Sequence, residues 1–338
     1  MLPVRRPLHI EFSAVDSMTC VQCRSWRARL EELEVEDSKK ACEERSKLEY
    51  VLEDHANARA QQRRSHDEHE GRVLSEESFA MLTMDGSTKE LMNRGKVHIV
   101  NVTLCERHED GTSLKRSYFD FYRLPLSGRK RDALYYVLSY MFQNDLCSAK
   151  RVVVWADAGS SDFHNAPAMY SFVRLANYCA PRGIVLESLN FFAVRHGWSD
   201  CDRHFGKIEQ SITQWYSDVA PKCKGLFLDV DLLRKLTEEK LRNTRTFDCQ
   251  SVHVIGTVCP PVPSLNAFYS FEPAARKGNG VGQQRVVAKV WTSSKAGIEM
   301  VLDGKLVSHE EAEKMATHRL QTRPQVTRTK KKNKKKKK

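Results

Sequence analysis

Hydrophobic and polar positions change their spacing several times along this chain, and each change marks an element. Val152-Val153-Val154-Trp155-Ala156 is an unbroken apolar run that stops at Asp157, and Phe191-Phe192-Ala193-Val194 is a second that stops at Arg195-His196-Gly197. Runs of this length, rich in β-branched and aromatic residues, predict strands buried on both faces, as in a parallel sheet. Three shorter runs precede them. Phe79 to Met84 ends at Asp85-Gly86, while Val97 to Leu104 and Ser117 to Tyr122 flank the turn sequence Glu109-Asp110-Gly111. These three read as an antiparallel meander. Between and after the long runs the apolar spacing becomes helical. Leu134, Val137, Leu138, Met141 and Phe142 share one face of Asp132 to Phe142, and Met169, Phe172, Val173 and Ala176 do so after Pro167. Asp202 to Tyr216 gives a further helix. With strand five inside Ile184 to Val194, the order is β-β-β-α-β-α-β-α, which predicts an α/β fold with a mixed sheet over residues 75–218.

The flanks read differently. Residues 1–74 are dominated by a charged stretch from Arg24 to Arg72 whose apolar positions (Trp26, Leu30, Leu33, Leu48, Val51, Leu52) form only a patchy stripe. That predicts a long, mostly solvated helix or a helical pair without a core of its own. Residues 219–316 suggest a small α/β appendage: a helix within Leu226 to Leu241, then a strand pair, Arg285 to Trp291 with Ile298 to Leu302. Asp229 and Asp231 read as cap or surface residues, or as an extra acidic pair. Gly278-Asn279-Gly280-Val281-Gly282 follows no clear strand and is not a nucleotide-binding fingerprint.

Charge changes the picture at one place. The net charge is +12, and residues 317–338 hold three Arg, eight Lys and no acid, so the rest of the chain sums to about +1. A block of this kind (Lys330, Lys331, Lys332, Lys334, Lys335 and Lys336 among it) is expected to be a disordered basic tail. It would hold phosphate backbones without reading sequence, serve as a nuclear address, or only keep the chain soluble. No run approaches 18 apolar residues, so no membrane partner is expected. The first dozen residues lack the apolar core of a secretory signal. The ten cysteines are scattered, some within apolar elements, which suits buried thiols in a reducing compartment. Together these predict an intracellular, nuclear protein.

Two features carry chemistry. In open α/β sheets, reactive groups gather at the carboxyl ends of strands. Acids delivered there from separate strands point to a metal or acid/base site, and that in turn to nucleic-acid chemistry. Near the N-terminus, Cys20-Val21-Gln22-Cys23 is half of a zinc site, followed by His55, His66 and His69. Cys20, Cys23 and His55 are the first-choice Zn²⁺ ligands. The alternative is two thiols and surface histidines with no shared ion.

The two long segments, Trp155-Ala156-Asp157-Ala158-Gly159-Ser160-Ser161-Asp162-Phe163-His164-Asn165 and Phe191 through Gly206, resemble the paired signatures of transposon-derived proteins. These belong to the ribonuclease H-like superfamily of DDE/DDD transposases and integrases. In that group a strand ends in a Ser-Asp-Gly type turn with Asn shortly after. A later strand ends in a His-Gly type turn, with Asp and a Phe-Gly pair following, and an upstream CxxC with a charged helix and His accompanies many members. The resemblance covers roughly residues 20–218. It departs from the pattern at Ala158-Gly159 and at Trp198, and neither change removes an acid.

What it implies is a ribonuclease H-like sheet with strands one and four side by side. It also implies cleavage or transfer of DNA (or RNA) strands with Mg²⁺ or Mn²⁺ held by Asp85, Asp157 and Asp202, or a non-catalytic nucleic-acid or chromatin-binding protein on the same scaffold. Each acid has a plainer role open to it: Asp157 as a helix cap, Asp85 as a turn residue, and Asp202 as a cap with Asp200 or Glu209 as the third acid. His196 would orient a phosphate or carboxylate, or simply bond locally.

Overall fold

The computed structural model describes residues 21–36, 38–91, 95–123, 131–157, 163–192, 199–219, 228–249, 256–259, 267–274, 283–290, 295, 297–303 and 305–307. Cys20, His196, Trp198 and the basic tail lie outside them. In chain order the elements are α1 (Val21–Glu34), α2 (Lys39–Ser75), β1 (Phe79–Leu91), β2 (Gly95–Arg107), β3 (Leu114–Tyr122), α3 (Arg131–Gln143), β4 (Arg151–Ala156), α4 (Ala166–Cys179), β5 (Val185–Phe191), α5 (Asp200–Asp218), α6 (Val230–Lys240), β6 (Thr244–Asp248), β7 (Gly256–Val258), β8 (Ser270–Pro273), β9 (Gln283–Lys289), β10 (Ile298–Asp303) and β11 (Lys305–Val307). The expected order from β1 to α5 is present. The protein is an α/β fold on one mixed sheet of nine strands, in the order β10-β9-β8-β5-β4-β1-β2-β3-β6, with a separate β7/β11 ribbon.

The meander β1-β2-β3 is antiparallel, and β1, β4 and β5 run parallel side by side. The β2–β3 turn needs Gly111 at φ +69°, and Asp110 closes it by accepting from the N–H groups of Thr112 at 2.8 Å and Ser113 at 3.0 Å. The parallel strands feed helices that cover both faces, which explains their unbroken apolar sequence. Alternate residues Ala80, Leu82, Met84, Val152, Val154 and Ala156 enter the main core with Leu134, Val137 and Met141 of α3 and Met169, Phe172 and Val173 of α4. The opposite set, Phe79, Met81, Val153 and Trp155, packs beneath Val73 of α2. Farther along that face, Leu91, Val97, Ile99 and Tyr122 meet Phe205, Ile208, Ile212 and Trp215 of α5 and Leu233 and Leu236 of α6.

Two parts of the fold go beyond the sequence pattern. The N-terminal region is a helical pair, as expected, but α2 is not only a solvated rod. Its later turns bury Gln62, Ser65, His69 and Val73 against the sheet, and Arg72 pairs with Glu187 at 2.9 Å. The stretch read as an appendage supplies strands to both ends of the main sheet, β6 beside β3 and β8-β9-β10 beyond β5. Asp229 is the N-cap of α6, accepting from Leu232 N at 2.8 Å, and Asp231 pairs with Arg123 at 2.8 Å.

Candidate functional site

The last parallel pair between β1 and β4 is Met84↔Ala156, and Asp85 and Asp157 are the next residues along the chain from it. Side chains alternate between faces. Asp85 therefore continues the row of Phe79 and Met81, on the face covered by α2 and α5, and Asp157 directly follows the end of β4. Both are half-buried. One oxygen of Asp85 accepts from the N–H of Gly86 at 2.6 Å.

The first turn of α5 lies over β1 and β2. Cys201 is fully buried, its Sγ donating to Thr83 O at 3.2 Å. Burial pushes its thiol well above the ordinary value, and the carboxylates of Asp85 and Asp202 push it further. Both acids are thus within electrostatic reach of one sulfur. Asp202 itself completes a capping box: its Oδ2 accepts from Ser199 N at 2.8 Å and Ser199 Oγ at 3.1 Å, while Ser199 Oγ in turn accepts from Asp202 N. The two other acids considered for the third position are held elsewhere. Asp200 is buried between Arg116, whose Nε donates to it at 2.7 Å, and Arg203. Glu209 is mostly exposed and pairs with Lys89 at 2.9 Å.

Several residues of this region escaped the sequence reading. The register carries the row of acids across the sheet, from Asp85 to Asn101 on β2 and from Asn101 to Asp120 on β3. Asp120 is fully buried. It accepts from Asn101 Nδ2 at 2.8 Å and faces His204 Nε2 of α5 at 2.8 Å, with the Tyr118 ring stacked on the imidazole at 4.4 Å. A polar residue within Tyr118-Phe119-Asp120-Phe121-Tyr122 was the available signal: an acid with aromatic neighbours in a strand needs a buried partner. Arg116 joins the two cover helices, holding Asp200 of α5 and, at 2.5 Å, Glu70 of α2. Nothing in the sequence announced that pair.

Of the zinc candidates, Cys23 is buried with Leu52 in the α1/α2 seam, and Trp26 stands edge-on to His55 with ring centroids 5.6 Å apart. Cys23 and His55 thus belong to one seam. Elsewhere on α2, His66, Asp67 and Glu70 each place a ligand-type atom within 4.8 Å of the others, a group able to hold a metal ion. No helix among the described residues is long and apolar enough to cross a membrane. Compared with known proteins, the chain matches no family model and no curated protein.

Proposed function

We propose that the chain is a transposase- or integrase-like protein on a ribonuclease H-like scaffold that cuts or transfers DNA strands with Mg²⁺ or Mn²⁺. The observation that carries this reading is the parallel pairing of β1 and β4, whose last pair, Met84↔Ala156, is followed on each chain segment by an acid, Asp85 and Asp157. Parallel neighbours β1 and β4 are what the resemblance implies, and half-buried carboxylates from separate strands fit a hard cation that keeps several waters. Asp85 and Asp157 would share one ion, and Asp202 with one of them would hold a second. Bound there, the ions would activate a water or 3′-hydroxyl and offset charge on the leaving oxygen. The chain's own work is to hold three carboxylates at fixed spacing, two by sheet register and one by the Ser199 capping box. The basic tail would hold phosphate backbones and direct the protein to the nucleus, leaving target choice to other surfaces.

A non-catalytic reading, a recruited nucleic-acid-binding scaffold, draws support from the engagement of Asp202 in its capping box and of Asp200 with two arginines. Nicking of supercoiled DNA, with single-stranded DNA and RNA alongside, separates the two. Cleavage with Mg²⁺ or Mn²⁺, and binding without efficient cleavage in Ca²⁺, is the expected result. Metal and DNA binding with no cleavage in any of the three ions would favour the scaffold.

A further inference from the structure

Among the described residues, the proposed strand-cleaving chemistry leaves a cluster of ligand-type side chains on α2 unused. His66 and Glu70 are one helical turn apart and so share a face, and with Asp67 their ligand atoms lie within 4.8 Å of one another. The imidazole of His66 is fixed by packing: Trp155 stands edge-on at 5.3 Å and Phe192 is tilted against it at 5.4 Å. It makes no hydrogen bond among the described residues, whereas the neighbouring His69 accepts from Trp155 Nε1 at 3.0 Å.

Charge favours a cation here. Asp67, Glu70 and Asp200 bring three negative charges to the region, with Arg116 between Glu70 and Asp200 and Arg203 on the outer side of Asp200. Arg116 keeps its 2.7 Å bond to Asp200 if Glu70 turns to a metal, so the exchange strands no buried guanidinium. Donor type then selects the ion. One imidazole nitrogen with two carboxylates suits zinc-class transition metals, whereas Mg²⁺ and Ca²⁺ prefer oxygen alone.

We propose that His66, Asp67 and Glu70 form a three-ligand site for a zinc-class transition metal on α2, with its remaining coordination positions open to water or an anionic oxygen. The site is independent of the Asp85/Asp157/Asp202 reading. Its test uses the full-length chain with Cys20→Ser and Cys23→Ser, which removes the thiol pair, stripped of metal and titrated with Zn²⁺ against a chromophoric chelator. The parent should take up one tightly held equivalent. His66→Ala with Glu70→Gln should lose it. Asp67→Ala, at an exposed position with no packing to disturb, should weaken it about tenfold or more, the scale on which metal sites respond to loss of a supporting group, with melting temperature unchanged. Asp157→Asn should leave it intact. A parent that binds no Zn²⁺, an Asp67→Ala protein that binds as tightly as the parent, or an equivalent lost with Asp157→Asn would each overturn the assignment.

Discussion

Asp120 and His204 show how a polar pair survives in an apolar sheet. Their side chains are 0% and 1% exposed, and every contact that makes this tolerable is local: Asn101 donates to one carboxylate oxygen, His204 meets the other, and Tyr118 caps the ring. Removing one member strands the other. His204→Ala should cost about 3 kcal/mol or more in denaturant unfolding, because a buried carboxylate loses its main partner. A loss under 1 kcal/mol would mean that water reaches Asp120. Ser199→Ala is a gentler test of the same helix end. It removes one half of the capping box, and should cost about 1 kcal/mol while freeing Asp202 to turn. If Asp202 serves as the third acid, cleavage should fall more than stability does. The acids at 85, 157 and 202 stand out in the sequence because each closes or follows an apolar run. The buried polar contacts beside them, Asn101 and His204 on Asp120 and Arg116 between Glu70 and Asp200, do not, because pairing across strands and helices depends on register that no local pattern encodes.

At the scale of elements, α2 is the case where pattern and structure part. Its 37 residues have no clean apolar stripe because only the later turns lie on the sheet, and they do so through Gln62, Ser65 and His69 as well as Val73. A stripe made partly of polar residues is invisible to hydrophobic spacing, whereas β4 and α3, whose buried faces are apolar, were read nearly to their ends, and β1 was read only as far as Met84 of a strand that runs to Leu91. The docking of α2 should be pH-sensitive. His69 accepts from the Trp155 N–H, and burial, aided by Arg72 and His66, lowers its pKa to about 4. Its unfolded value is about 6.5. The unfolded chain therefore binds more protons between these values, so His69's contribution is complete above about pH 6.5 and is lost as pH falls toward 4. The full span is about 3 kcal/mol at most. Melting temperature should decline through that window, and His69→Gln should flatten the decline. An equal slope in the variant would place the acid sensitivity elsewhere.

For the whole molecule, nine strands form one sheet whose ends come from the C-terminal third, so a truncation before β6 should expose both β3 and β5 as raw edges. The basic tail is different. Removing residues 317–338 takes away 11 of the 12 net positive charges, and should lower non-specific DNA affinity and flatten its dependence on salt, each phosphate contact contributing about 0.9 to the log–log slope. An unchanged slope would return the electrostatic footprint to the folded body. The account rests most heavily on the proposed roles of Asp85 and Asp157 beyond the last β1–β4 pair, and the direct measurement is the DNA-nicking rate of Asp157→Asn beside the unaltered chain in Mg²⁺, with melting temperature and DNA affinity recorded for both. Cleavage by the unaltered chain that falls to background in the variant, with stability and affinity kept, is the predicted result. Cleavage by the variant at the unaltered rate would contradict the assignment of Asp157 and of the metal site built on it.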